Sequence, residues 1–310
     1  MNKIIIHEVG PRDGLQAEKK TVLLEEKIRW IEGVCASGID VVQLGSFVNP
    51  EKVPQMADTD ALFHHFIGNK PARVILSGLV LNEKGLERGL ACGVEMFCMG
   101  VSASETHSRK NTGMTSSEAL GRIVAMARQA MTAGKSVQVS VQSAFGCGYE
   151  GPVDREKVIN IVKTYLEAGI CNISLADTAG HAHPKQVADL FGAIRALDPL
   201  VVLACHFHNT YGLGLANCFA ALNSGVTWFE SAFGGLGGCP FTKLPAGNVS
   251  TEDLVHSLQR MGLRKDIQLD VLLTVARQVG KYFDRELPGF ILKSGSIVDF
   301  LGQDRSGEGA

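Results

Sequence analysis

Apolar and polar positions along the chain follow two alternating periods. Short runs rich in β-branched residues recur at 3–8 (KIIIHE), 40–46 (DVVQLGS), 73–79 (RVILSGL), 95–101 (EMFCMGV), 136–143 (SVQVSVQS), 171–176 (CNISLA), 200–206 (LVVLACH) and 226–231 (VTWFES). Between them apolar residues fall three and four apart, as in TVLLEEKIRWIEGVCA at 21–36 and REKVINIVKTYLEA at 155–168, the spacing of one helix face. A weak repeat joins the two patterns: SGID at 37–40, CGVE at 92–95, AGKS at 133–136, AGIC at 168–171 and SGVT at 224–227 each set a Gly at the end of a helical stretch, where a left-handed cap is expected. The unit is helix, Gly, strand. Strands alternating with helices, without hairpin turns, imply parallel β-α-β units. Eight of them predict an α/β fold of the (β/α)8 TIM-barrel type. A doubly wound sheet is the alternative, but it usually carries a glycine-rich phosphate turn after its first strand. GPRDGLQ at 10–16 is not that turn. Residues 252–290 read as helical, which adds C-terminal helices to a single barrel domain over 1–300, followed by a loose polar tail at 301–310.

Side chains on a strand point to alternate faces. In the second run Val42 and Leu44 then face the helices, with Gln43 and Gly45 inward. In the seventh, Leu203 and Cys205 face the helices and His206 points inward, with His208 on the same side. The fifth offers Gln138, Ser140 and Gln142 as its inward row. Barrel interiors are mostly filled by branched apolar side chains, and barrel active sites lie at the C-terminal ends of the strands. Polar inward residues near those ends mark a candidate site.

Composition narrows the class. Of the 310 residues, 45% are hydrophobic and 20% charged, which excludes a disordered chain. Lys and Arg number 30 against 32 Asp and Glu, a formal net charge of −2. That is not the electrostatic footprint of a nucleic-acid binder. No apolar run approaches the roughly 18–20 residues of a membrane span. The opening MNKIIIHEVG is too short for a signal peptide, so a cytoplasmic location is expected. The 8 cysteines are scattered with no CxxC pair, mostly inside apolar runs, and read as inert buried thiols rather than a disulfide framework.

The strongest local feature is His206-Phe207-His208. Two histidines two residues apart at a strand end can share one metal ion, or stand as two hydrogen-bonded side chains, and spacing alone leaves both open. His181 and His183 repeat the spacing in a loop ahead of a helix, where they read as solvated or as a helix cap. Arg12 and Asp13 follow the first strand directly, so Asp13 is either a hard oxygen ligand or half of a turn salt bridge. After the eighth strand comes GGLGGCPFTKLPAGN at 234–248, with Cys239 behind its glycines. Polar, flexible neighbours suit a reactive thiol, and a packed thiol is the alternative.

Together GPRDGLQ at 10–16, SFVNPEKVPQMAD at 46–58, HFHNTYG at 206–212 and GGLGGCP with GNVSTEDLV at 234–255 resemble the hydroxymethylglutaryl-CoA lyase family, over about residues 4–295. The resemblance implies a carbon–carbon lyase acting on a 3-hydroxyacyl-CoA thioester, with 3-hydroxy-3-methylglutaryl-CoA cleaved to acetyl-CoA and acetoacetate. It implies a divalent cation, Mg²⁺ or Mn²⁺, on Asp13, His206, His208 and Asn248. Arg12 would stabilise an enolate oxygen, and Cys239 would be an acid or base. Asp177 would be an acidic residue near the substrate, with Gln16, Ser46 and Glu252 in support. A homodimer is implied as well.

Two positions depart from the family pattern. Gln43 stands where lyases of the family usually carry Glu, in VVQLGSFV against a motif like IE-x-TSFV, and Gly45 replaces the Thr of that motif. Glutamine keeps the size and a carbonyl acceptor but cannot act as a base. Gly45 implies extra room beside the acyl group. Asn209 is a milder change, standing for a frequent Asp after the second His. Three readings follow: a hydroxymethylglutaryl-CoA lyase with an altered acid–base network, a lyase for a related branched 3-hydroxyacyl-CoA, and a metal- and acyl-CoA-binding homologue without turnover.

Overall fold

A computed structural model describes residues 3–238, 247–295 and 297. Eight parallel strands, β1 (Ile5–Glu8), β2 (Val41–Ser46), β3 (Ile75–Leu79), β4 (Met96–Ser102), β5 (Ser136–Gln142), β6 (Asn172–Asp177), β7 (Val202–Phe207) and β8 (Trp228–Ser231), pair in chain order and close into a barrel. The outer layer is α1 (Leu24–Ser37), α2 (Thr59–Phe66), α3 (Glu83–Ala91), α4 (Glu105–Thr112), α5 (Ser116–Thr132), α6 (Arg155–Glu167), α7 (Pro184–Leu197) and α8 (Gly214–Asn223). Then follow α9 (Thr251–Arg260), α10 (Leu269–Phe283) and α11 (Phe290–Ser294). The (β/α)8 expectation holds. The glycines of the repeat, Gly38, Gly93, Gly134, Gly169 and Gly225, all take positive φ, between 72° and 102°. No described helix is long and apolar enough to cross a membrane.

The helical stretch read over 252–290 holds two helices, α9 and α10. The chain breaks between α9 and α10, where Gly262 (φ 80°) and Arg264 (φ 46°) turn left-handed. Arg264 is buried, and its guanidinium donates to the Ile4 and Gly38 carbonyls (2.8 and 3.2 Å) and to Asp40 Oδ2 (2.5 Å). The break therefore ties the C-terminal helices to the base of the barrel. On the outside, Trp30 of α1 meets Phe233 and Tyr282 edge-on, with centroids 6.4 and 5.4 Å apart, and joins α1 to α10. Among the described cysteines all but Cys171 are buried and all are unpaired. Burial pushes the Cys35 and Cys98 thiols up to about 12.

The barrel interior is most apolar at its base. Val41, Met96 and Cys98 cluster there, with Ile5, Leu79 and Trp228 packed against them. Above this plug most inward side chains are polar, with Leu79 and Cys98 of the plug itself, Met99 and Ala176 among the apolar exceptions. His7 Nε2 lies 2.8 Å from Ser77 Oγ, and Gln138 Nε2 donates to Asn172 Oδ1 at 3.3 Å. A plug with a polar well above it departs from the usual stacked apolar layers and leaves room for a site.

Glu8, on the outer face of β1, fastens the barrel where it closes. Oε1 accepts the backbone N–H of Gly10 (2.7 Å) and of Phe233 (2.9 Å), and Thr251 Oγ1 lies 2.6 Å from Oε2. Gly10 has to be glycine, because a Cβ there would sit 2.6 Å from Glu8 Oε1 and 2.8 Å from the Phe233 ring. Burial pushes the Glu8 carboxyl up to about 8 from 4.5, with the neighbouring Glu252 charge adding to the rise. A carboxyl group raised on folding contributes stability fully below pH 4.5, and that contribution is lost as pH rises through about 8. Glutamine matches the protonated acid in shape. We predict that wild type loses stability relative to Glu8→Gln between pH 6 and 9, by on the order of a few kcal/mol. Urea unfolding of both proteins across that range checks it, and a pH-independent difference would refute it.

Candidate active site

The site begins in a one-turn π-helix at 10–14, directly after β1. Pro11 starts this turn, and the N–H groups of Arg12 and Asp13 bond back to the Val9 carbonyl at 3.1 and 2.7 Å. That compact turn aims both side chains over the open end of the barrel. Arg12 Nε donates to Gln43 Oε1 of β2, and its Nη1 donates to Asp13 Oδ1. The other oxygen of Asp13 faces the end of β7, with Oδ2 at 3.8 Å from His206 Nε2 and 3.9 Å from His208 Nε2. Asn248, bridged to His208, donates from Nδ2 to the same oxygen at 2.8 Å.

The two separations between Asp13 and the histidines are too long for hydrogen bonds. Donor atoms about 2.1 Å from one ion lie about 3–4.2 Å from each other. One ligand atom from each of Asp13, His206 and His208 falls within 4.8 Å of the others, the grouping of a cation site. The amide oxygen of Asn248 and Nδ1 of His208 are buried without a hydrogen-bond partner. A mixed oxygen and imidazole set of this kind fits a divalent cation such as Mg²⁺ or Mn²⁺.

Electrostatics agree with the geometry. Burial opposes ionisation of Asp13, but Arg12 and the two histidines outweigh it and hold the carboxyl well below its usual range. Burial and the neighbouring His206 push His208 down to about 4, which leaves its imidazole neutral at pH 7. His206 is lowered by burial but raised by more through Glu230 and Asp13. Glu230, on β8, takes a hydrogen bond from His206 Nδ1 at 3.0 Å and another from Ser174 Oγ at 2.7 Å. Burial acts to raise Glu230, yet His206 holds it at about 2. Arg12, Asp13, His206, His208 and Glu230 line a cavity of about 500 Å³, as do Gln16, Gln43, Gln138, Ser140 and Gln142.

The HMGL-like family model matches residues 3–279. The chain belongs to that family. Among its relatives, the hydroxymethylglutaryl-CoA lyase of Bacillus subtilis is 37% identical over 286 residues, 92% of this chain and 95% of the relative. The (R)-citramalyl-CoA lyase of Chloroflexus aurantiacus is 35% identical over 305 residues, 96% of each chain. The solved Bacillus subtilis HMG-CoA lyase superposes with a TM-score of 0.90 at 37% identity, covering 94% of this chain and 97% of that one. An HMG-CoA lyase from Acinetobacter baumannii, in complex with coenzyme A and 3-methylmalate, superposes at 0.89 with 35% identity and 96% coverage of each chain.

Other residues marked from the sequence of this HMGL-like chain sit elsewhere. Asp177 is fully buried and pairs in register with Phe207 on the helix-facing side, while its neighbours Ala176 and Thr178 line the cavity. Its two oxygens accept the backbone N–H groups of His181 (2.8 Å) and Ala182 (3.1 Å), so it braces a loop rather than facing the substrate space. Glu252 is also fully buried away from the cavity. It takes the Gly234 N–H at 2.8 Å and the Ser250 hydroxyl at 2.7 Å, and burial pushes it up to about 7. Ser46 is buried and does not line the cavity. Gly45 gives no room beside the acyl group. The register between β2 and β3 shifts after Gln43, and a Cβ at Gly45 would lie 2.4 Å from Thr59 Oγ1 of α2, in the helix layer. His183 is the N-cap of α7, accepting from the Gln186 N–H, and Asn209 accepts the Gly214 N–H at 2.9 Å. Cys239 lies outside the described residues, although Gly238 lines the cavity.

Glu230 was not singled out from the sequence. Period-two alternation in VTWFES carries the signal, since Trp228 and Glu230 share a face and Trp228 packs into the plug at the base of the barrel. For the cation site, Asp13→Asn is expected to weaken Mn²⁺ binding by more than the roughly 10–100-fold typical of losing an outer-shell partner. Electron paramagnetic resonance of free Mn²⁺ reports it, and unchanged affinity would refute the site.

Proposed function

We propose that this protein is a divalent-cation-dependent lyase that cleaves the C2–C3 bond of a 3-hydroxyacyl-CoA, with 3-hydroxy-3-methylglutaryl-CoA the first substrate to test. The observation that carries this reading is the Asp13, His206 and His208 grouping beside Arg12, at the open end of a polar barrel. The membership of the chain in the HMGL-like family supports it.

Cleavage of this type moves one proton out and one in. The C3 hydroxyl loses its proton to solvent water and the C2–C3 bond breaks. Its electron pair enters the thioester as an enolate, a carbonyl forms at C3, and C2 then takes a proton. Asp13, His206 and His208, with the amide oxygen of Asn248, would hold the cation. When bound, a divalent cation lowers the pKa of a neighbouring hydroxyl and fixes its direction. Arg12 supplies a fixed positive charge for the enolate oxygen, held in place by Gln43 and Asp13. Gln43 orients Arg12 through its carbonyl oxygen and takes no proton. Cys239, next to the cavity-lining Gly238, is the group we assign to proton delivery at C2.

A second reading changes only the acyl group. The neutral Gln43 in the cavity wall and the similarity to an (R)-citramalyl-CoA lyase favour a related branched 3-hydroxyacyl-CoA. The test is cleavage of 3-hydroxy-3-methylglutaryl-CoA and citramalyl-CoA with Mg²⁺ or Mn²⁺, wild type beside Gln43→Glu. Wild type is expected to cleave at least one thioester in a cation-dependent way. Preference for citramalyl-CoA, with Gln43→Glu gaining activity on the other thioester, would select the second reading. Cation and acyl-CoA binding without cleavage of either would overturn both.

A further inference from the structure

The two histidines of the cation site are not held alike. His208 Nδ1 is buried and has no hydrogen-bond partner. His206 Nδ1 lies 3.0 Å from Glu230 Oε2, and the other oxygen of Glu230 is 2.7 Å from Ser174 Oγ. With Nδ1 turned to Glu230, the ring of His206 has only Nε2 to offer to the cation site. That nitrogen faces Asp13 Oδ2 at 3.8 Å.

We infer that Glu230 is the positioning residue of the cation site, fixing the tautomer and direction of His206 so that Nε2 is presented to the ion. This rests on the cation-dependent reading above. Ser174 comes from β6, His206 from β7 and Glu230 from β8, so the chain of bonds spans three strands of the wall and holds the imidazole from behind. Glu230 is 8% exposed and both of its oxygens are engaged, which suits orientation rather than proton transfer to a substrate. Neither of the other two candidate side chains can take its place. Gln43 is turned to Arg12, and the oxygens of Asp177 are spent on backbone N–H groups behind β6. Outer-shell partners that hold the far nitrogen of a ligating histidine tune both its basicity and its orientation.

The test uses the full chain stripped of metal. Mn²⁺ affinity is read from the resonance of the free ion, and the tautomer of His206 from long-range ¹H–¹⁵N correlations, assigned with His206→Gln. Wild type is expected to bind Mn²⁺ and to show His206 protonated at Nδ1. Glu230→Gln should lose roughly 10–100-fold in affinity and show a tautomer mixture. Ser174→Ala, which frees one oxygen of Glu230, should lose several-fold. Gln43→Glu combined with Glu230→Gln should not recover the loss, because its charge faces Arg12. If wild type binds no Mn²⁺, the cation-dependent reading itself fails. If wild type binds and a folded Glu230→Gln binds equally well with an unchanged tautomer, the role of Glu230 is overturned. Should Glu230→Gln fail to fold, Ser174→Ala decides, and wild-type affinity and tautomer in that variant would overturn the role.

Discussion

The Glu8 carboxyl group joins the first strand of the barrel to the last, receiving the backbone N–H of Gly10 and of Phe233 on one oxygen and meeting the Thr251 hydroxyl with the other. Gly10 opens the turn that carries Arg12 and Asp13, while Phe233 and Thr251 flank the segment that returns with Asn248. The proposed cation ligands thus come from opposite ends of the sequence and meet only where β1 closes against β8. A buried neutral acid suits that seam, because it can donate one hydrogen bond and accept two. An ionised carboxylate there would have to do without water and beside a second buried carboxyl group, Glu252.

Above the apolar plug, charge is shared out asymmetrically. Arg12 is bound on one side by a charged oxygen of Asp13 and on the other by the neutral oxygen of Gln43. The remaining carboxylate among the described cavity residues, Glu230, lies behind His206 on β8. Placing it there has two physical effects. It leaves Arg12 with a single carboxylate partner, so more of its positive charge remains for an incoming anion. It also keeps negative charge out of the wall beside Arg12, where an acidic group would repel an enolate.

Much of this architecture was legible as period and punctuation. The strands are short, β-rich and bounded by glycines that all take the left-handed cap, and the inward rows of β5 and β7 follow simple alternation. Gly45 was misread because alternation holds only while register holds, and the β2–β3 pairing shifts after Gln43. Asp177 was misread for a related reason. It is the last residue of β6, one step out of phase with the cavity-lining Ala176 and Thr178, and motif resemblance carries no phase. For Glu230, alternation in VTWFES gives the face it shares with Trp228 but not its partner, which only the neighbouring strand supplies by bringing His206 beside it. The break at 261–268 depends on Arg264 reaching backbone carbonyls more than two hundred residues away in the chain, which helical periodicity does not encode.

A shared scaffold does not by itself decide which acyl group is cleaved. The parts common to every thioester cleaved between C2 and C3 are a polarised hydroxyl and a stabilised enolate, which the proposed function assigns to the Asp13, His206 and His208 corner and to Arg12. What would distinguish one acyl group from another is the rest of the wall, where Gln43 of β2 and Gln138, Ser140 and Gln142 of β5 present uncharged donors and acceptors. Amides and hydroxyls discriminate through hydrogen-bond geometry, and a polar group left unmatched in a buried pocket costs about 1–3 kcal/mol. That is enough to separate two branched acyl groups by one or two orders of magnitude without altering the machinery that breaks the bond. On the proposed reading, substrate choice would then fall to the uncharged side chains of β2 and β5 and bond cleavage to the charged corner at β1 and β7, within one cavity.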